Sequence, residues 1–264
     1  MSHTGFISAA IVVLTLALAV PGAGAAQCAA ESGTRRVALL ELYTSEGCDS
    51  CPPADRWVSA LAGRGLDPER VVTLGFHVDY WNYLGWNDPF AKAEFSTRQR
   101  TSGQRNKARV VYTPQLLLNG ADYRRGTLKD DIAERINTIN QDQPGARINL
   151  KLAPGPTGEL SVQGAVAVTD AKRKNGAQAY LALYENNLAN AVTSGENRGK
   201  ELRHDFVVRA LAGPFPVGPA GDAAFAHRFR LDRGWKPADL RVVSFVQNEL
   251  TGDVLQALAL PVCR

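Results

Sequence analysis

Val37-Ala38-Leu39-Leu40-Glu41-Leu42-Tyr43 runs into Thr44-Ser45-Glu46-Gly47, and then into Cys48-Asp49-Ser50-Cys51-Pro52-Pro53-Ala54-Asp55. The apolar run reads as a buried strand, because a short apolar segment closed by turn residues suits a sheet covered on both faces. Beyond it Trp57, Val58 and Leu61 recur at helical spacing, so the cysteine pair sits where a helix begins. Pro52 and Pro53 fit there, since a proline in the first helical turn gives up only an N–H that has no helical partner. Partial positive charge at such a start favours thiolate over thiol at Cys48. Two cysteines at this spacing can close a disulfide and reopen it by exchange.

Strand, Cys-x-x-Cys, helix is a thioredoxin-like order of elements. The competing readings are a structural disulfide and half of a zinc site. Zinc needs two more ligands, and the other cysteines, Cys28 and Cys263, lie at the chain ends without forming a second close pair. After a turn at Gly63–Pro68, Val71-Val72-Thr73-Leu74-Gly75-Phe76-His77-Val78 is the next central strand. Strand, helix, strand implies a parallel crossover. Reactive groups gather beyond the carboxyl ends of such strands, which brings Cys48 near His77 and Asp79. Tyr80 to Phe90 is the most aromatic stretch; it reads equally as a lid over the cysteines and as a loop that buries its own rings. Ala91 to Lys107 follows as a helix with Phe95 inward and Arg98, Arg100, Arg105 and Lys107 mostly solvated.

Val110 to Gly120 is the second decisive stretch. Apolar residues flank Pro114, yet proline cannot donate a ladder bond in a central strand. A cis peptide after Thr113, with Pro114 opening the strand, resolves the conflict. In thioredoxin-like proteins a loop of this kind faces the cysteines and offers backbone groups to a substrate chain. Asn119-Gly120 reads as a hairpin turn. Thr127 caps a helix with Leu128, Ile132, Ile136 and Ile139 on one face.

Three of these stretches, Glu41 to Asp55, His77 to Phe90 and Tyr112 to Gly120, resemble the secreted family DUF1223. The resemblance extends over nearly the whole chain after residue 26, and it implies a thioredoxin-like fold and a dithiol site, with no substrate attached. Near Gln141–Pro144 the composition shifts. Residues 147–152, 160–168, 179–185, 204–210, 224–230 and 240–247 are short segments, many alternating, which predicts an antiparallel β-sandwich. The fold class expected is therefore an α/β thioredoxin-like domain (27–143) followed by an all-β sandwich-like domain (144–264). The latter carries a polar cluster of Glu185, Glu196, Asn197, His204 and Asp205. It reads first as turn contacts, then as a face turned toward the dithiol, or as a metal site using His204 with Glu196 or Asp205.

The chain has 264 residues and a formal charge of +4 with no basic block, so nothing points to nucleic acid. Residues 1–26, with an apolar core at Ile7–Val20 and small residues after it, read as a signal peptide. The expected location is periplasmic or secreted, without stable membrane insertion. Export makes Cys48–Cys51 and Cys28–Cys263 the expected disulfides. The second closes a very long loop, worth about 4–5 kcal/mol on chain entropy.

The function expected is thiol–disulfide exchange with protein or small-molecule thiols, or with a redox partner protein, and no cofactor. Cys48 attacks and Cys51 resolves; Thr113 and Pro114 position the partner, and His77 or Asp79 moves the proton at Cys51. Glu46 and Asp49 oppose thiolate formation. The rivals are a Cu(I) carrier on the same cysteines, poorly served because the sole methionine is Met1, and an adaptor with a purely structural disulfide. The exchange reading requires Cys48 open to solvent and Thr113-Pro114 facing it.

Overall fold

The computed structural model describes Met1 and residues 28–124, 130–155 and 158–263. Apart from Met1, the expected leader lies outside the described residues, as do Thr127 and Leu128. Leu39 and its neighbours form β2 (Ala38–Thr44), followed by α1 (Pro52–Ser59) and β3 (Val71–His77). β2 and β3 pair in parallel, from Ala38 opposite Val71 to Thr44 opposite His77. Then come α2 (Ala93–Arg105), β4 (Gln115–Leu118) and β5 (Ala121–Asp122), with β4 antiparallel to β2. Asn119 and Gly120 both have positive φ at the β4–β5 turn, as a two-residue hairpin requires. α3 (Ile132–Gln141) packs Ile132 and Ile136 with Leu40, Leu42 and Val58 on one face of these strands.

The expected fold class is overturned at this point. The strands of the second half, β8 (Ala177–Glu185), β11 (Val207–Pro216), β13 (Leu240–Asn248) and β14 (Val254–Pro261), do not stand apart. They continue the first sheet, giving one eight-stranded mixed sheet in the order β14-β13-β8-β11-β3-β2-β4-β5. The seam is β11 beside β3, where Val207 pairs in parallel with Gly75 and Gly75 N–H donates to Phe206 O at 2.7 Å. A second sheet joins β1 (Cys28–Glu31), β6 (Ala146–Pro154), β7 (Glu159–Val168) and β12 (Asp222–Arg230). It packs Ile148, Leu150 and Val162 on Leu181, Leu183 and Val242 of the large sheet. A ribbon of β9 (Leu188–Ala191) and β10 (Glu201–His204) completes the described strands. The chain is thus a mostly β structure built on large sheets, not a thioredoxin-like domain with a sandwich appended.

The large sheet curls until its far strand meets its start. Val37 N–H donates to the Gln256 side chain at 2.7 Å, and Arg36 Nε donates to Val254 O at 3.2 Å. One apolar core follows, with Leu39, Leu74 and Phe76 from the first half against Tyr184, Val243 and Phe245 from the second. Arg98, expected in solvent, is buried inside it. Its Nε lies 2.7 Å from Glu41, with a side chain 8% exposed, and its guanidinium sits over Phe76, Tyr180 and Phe245. A helical position counted as surface in an isolated α/β unit is interior once the second half folds over it.

Candidate functional site

Cys48 and Cys51 form a disulfide at the head of α1, with Cα atoms 5.5 Å apart. Asp49 and Ser50 between them are exposed, but both cysteines are 0% exposed. The expectation of a solvent-facing Cys48 is therefore corrected, and the requirement set for exchange fails in this closed arrangement: exchange needs the loop over the sulfurs to open. The sulfurs lie beneath the aromatic loop. Trp81 Nε1 donates to Thr113 Oγ1 at 2.7 Å, and Thr113 Oγ1 donates to Cys48 Sγ at 3.3 Å. Trp81 covers Gly47 so closely that a Cβ there would come within 2.9 Å of the Trp81 Cβ, which makes a glycine necessary. The Thr113–Pro114 peptide is cis, and Thr113 faces the cysteines.

The helix start contributes less positive charge than its position suggests. Pro52 and Pro53 bring no N–H, and the next two, of Ala54 and Asp55, both donate to Cys51 O at 2.8 and 3.2 Å. Cys48 sulfur meets two hydroxyls instead, Thr113 Oγ1 from the opposite loop at 3.3 Å and Ser50 Oγ from its own loop at 3.4 Å.

A group of ionisable side chains packs behind the dithiol loop. His77, at the end of β3, places Nδ1 2.7 Å from Asp88 Oδ2, and the same oxygen accepts from Glu46 N–H at 2.8 Å. Glu46 is turned away from the sulfurs. Its Oε2 accepts from Trp86 Nε1 at 2.9 Å and Asn190 Nδ2 at 2.8 Å, and its Oε1 lies 3.1 Å from His204 Nε2. His204 Nδ1 faces Asp55 Oδ2 at 4.0 Å. Phe90 packs edge-on against both imidazoles, whose own centroids are 5.0 Å apart. Glu46, Asp55, His77, Asp88 and His204 are all buried.

Their protonation follows from that burial. Desolvation pulls His77 down, but the Asp88 carboxylate outweighs it and holds the imidazole above its ordinary value. Burial pushes Asp88 up, yet contact with His77 leaves it below the usual carboxylate range. Burial raises Asp55, against the pull of His204 and His77.

The second half closes over the same loop. Asn197 Nδ2 donates to Glu46 O at 2.8 Å and Cys48 O at 2.9 Å, and Asp49 N–H donates to Glu196 at 3.1 Å. Of the polar cluster read first as turn contacts, Glu196, Asn197 and His204 reach the dithiol loop; Glu185 instead pairs with Arg209 and Lys236 N–H. Asp205 stays a turn contact, accepting from Asn187 N–H. Asp79 is turned to α2, where Ser96 donates to its carboxylate at 2.5 Å. Asp55 had one visible signal, an acid four residues after Cys51 on the same helical face. Nothing local ties His204, 158 residues from Glu46, to the site. Among the described residues no group of three or more His, Cys, Asp or Glu is arranged to hold a metal ion. Cys28 and Cys263 form the second disulfide, with Cα atoms 5.9 Å apart.

Fold and site together define a β-rich, doubly disulfide-bonded protein with a buried Cys-x-x-Cys. The family profile of DUF1223, a protein family of unknown function, matches residues 39–247, and the chain belongs to that family. No curated protein matches it. Among solved structures, it is similar to a protein of Agrobacterium tumefaciens at 23% identity and TM-score 0.57, over 88% of this chain and 97% of the other. It is also similar to HBP35 of Porphyromonas gingivalis at 20% identity and TM-score 0.64, over 88% and 76%. These likenesses concern the fold. No helix among the described residues is long and apolar enough to cross a membrane.

Proposed function

We propose that the chain is an exported thiol–disulfide exchange protein whose Cys48–Cys51 bond is stored closed beneath Trp81 and opens when that loop lifts. The observation that supports this most is the set of five buried ionisable side chains that pack on one another behind the dithiol loop. Burying such groups is unfavourable, and a staple between residues three apart needs none of them. Chain entropy points the same way, since a loop this short gains little from being closed. The partner is a thiol or disulfide of a protein or small molecule. Export rests on the leader-like residues 1–26 and on two disulfides, which persist in oxidising compartments.

Complete burial of both sulfurs favours a second reading, a structural disulfide that shapes the loop for the second half to grip. Reduction by dithiothreitol, followed by trapping of free thiols on Cys48 and Cys51, separates the two. Under the exchange reading Trp81→Ala speeds reduction of Cys48–Cys51 by about tenfold or more, leaves Cys28–Cys263 unaffected and turns over insulin, whereas Cys48→Ser abolishes turnover. A bond that stays closed in Trp81→Ala until the protein unfolds establishes the structural role.

A further inference from the structure

We infer that His204, carried on β10 by the second half of the chain, works through Asp55 as the proton store of the dithiol. The inference rests on the exchange reading and specifies how its resolving step is served.

Asp55 sits one helical turn beyond Cys51, on the same helical face, and its own N–H donates to Cys51 O. The Asp55 carboxyl meets Thr44 at the end of β2 and His204, and helical side chains lean toward the turn before them, here the one that holds Cys51. His204 has one nitrogen committed and one free. Nε2 lies 3.1 Å from Glu46 Oε1, a geometry in which an Nε2 proton would donate to the carboxylate. Nδ1 is buried, has no hydrogen-bond partner and faces Asp55 Oδ2 at 4.0 Å. A buried ring nitrogen left unpaired is costly, and a small shift brings it within reach of the Asp55 proton. Glu46 is held by Trp86 and Asn190, so it fixes the ring and balances the positive charge that a second proton brings.

The groups facing His204 are Glu46 from the dithiol loop, Asp55 from α1, and His77 from β3 with Asp88 from the aromatic loop. His77 and Asp88 form their own closed pair, which leaves Asp55 and His204 to exchange a proton with Cys51. Burial raises the proton affinity of Asp55, so its carboxylate is a stronger base toward Cys51 than an exposed one.

Cys48 thiolate has attacked a partner disulfide, giving a mixed disulfide and releasing one partner thiolate. The Cys51 thiol loses its proton to Asp55, which passes it to His204 Nδ1. Cys51 sulfur then attacks Cys48 sulfur, the Cys48–partner bond breaks, and the electron pair leaves on the partner sulfur. The dithiol is oxidised by two electrons, the partner disulfide is reduced to two thiolates that take up protons from solvent according to pH, and the stored proton returns to solvent.

The test starts from protein reduced with dithiothreitol and freed of it. Glutathione disulfide is added at pH values from 5 to 9, and closure of Cys48–Cys51 is followed by acid quench and peptide-resolved thiol trapping. His204→Gln keeps a donor toward Glu46 and loses the store; closure at pH 7 should slow by about a hundredfold, with the pH profile displaced. Asp55→Asn should do the same, and decides the matter if His204→Gln does not fold. Closure in both variants with the rate and pH profile of the natural protein overturns the proton store while leaving exchange standing. Failure of the natural protein to react at any pH overturns the exchange reading, and the proton store with it.

Discussion

The two disulfides sit in different surroundings. Cys28–Cys263 joins residues 235 apart, and Cys28 packs against the apolar core between the two sheets. Cys48–Cys51 joins residues three apart, beneath Trp81, with five buried ionisable groups packed behind its loop. On chain entropy the long closure is worth about 5 kcal/mol and the short one about 2 kcal/mol. A protein that needed only stability from its sulfurs would keep the first and fill the site of the second with apolar side chains, which tolerate burial far better than charges. The proposed exchange function reads this contrast as stability in one bond and chemistry in the other.

Four measurements break or sharpen that contrast. Replacing Cys28 and Cys263 together by serine should lower unfolding stability by about 5 kcal/mol in a denaturant titration; a loss near zero removes the stabilising role. Asp88→Ala strips His77 of its counter-charge and Glu46 and Phe90 of an N–H acceptor. It should lose about 3 kcal/mol, and an unchanged midpoint would show that the charged nest behind the dithiol loop contributes nothing. Replacing Cys48 and Cys51 together by alanine should cost about 2 kcal/mol, clearly less than the long bond; the reverse order of the two losses inverts the contrast.

The smallest effect is in pH. His77 is raised in the folded protein, so its stabilising contribution is complete below its ordinary value of 6.5 and fades as pH rises through the folded value. Asp88 is lowered, so its contribution is complete above 3.8 and fades as pH falls through its folded value. The pair therefore contributes fully between 3.8 and 6.5. Thermal melts across pH should decline above that window, and Asp88→Asn should flatten the decline.

How much of this was legible depends on distance along the chain. The β2 strand, the cysteine pair at the head of α1, β3, the cis proline and the Asn119-Gly120 turn are decided by neighbours, and each can be read from its own residues. Cys28–Cys263 was readable from an even cysteine count in a chain expected to be exported. The six short segments of the second half are strands near the expected positions, yet β1, β9, β10 and β14 were not read. Arg98 was placed in solvent because its partners Glu41, Tyr180 and Phe245 lie on three separate strands. Asn197 and His204 looked like ordinary turn and strand residues until the β9–β10 ribbon laid them on Glu46 and Cys48.

The sequence by itself determined the local chemistry: which strand ends at the cysteines, where the helix starts, and which proline must face them. Only the tertiary structure decided that β11 docks on β3, that one sheet therefore runs through both halves, and that the cysteines end up sealed. Alternating apolar residues specify which face of a strand is buried but not which strand lies beside it. Pairing between distant strands is settled by the shape of the whole core, and here that shape turns an open loop into a closed one.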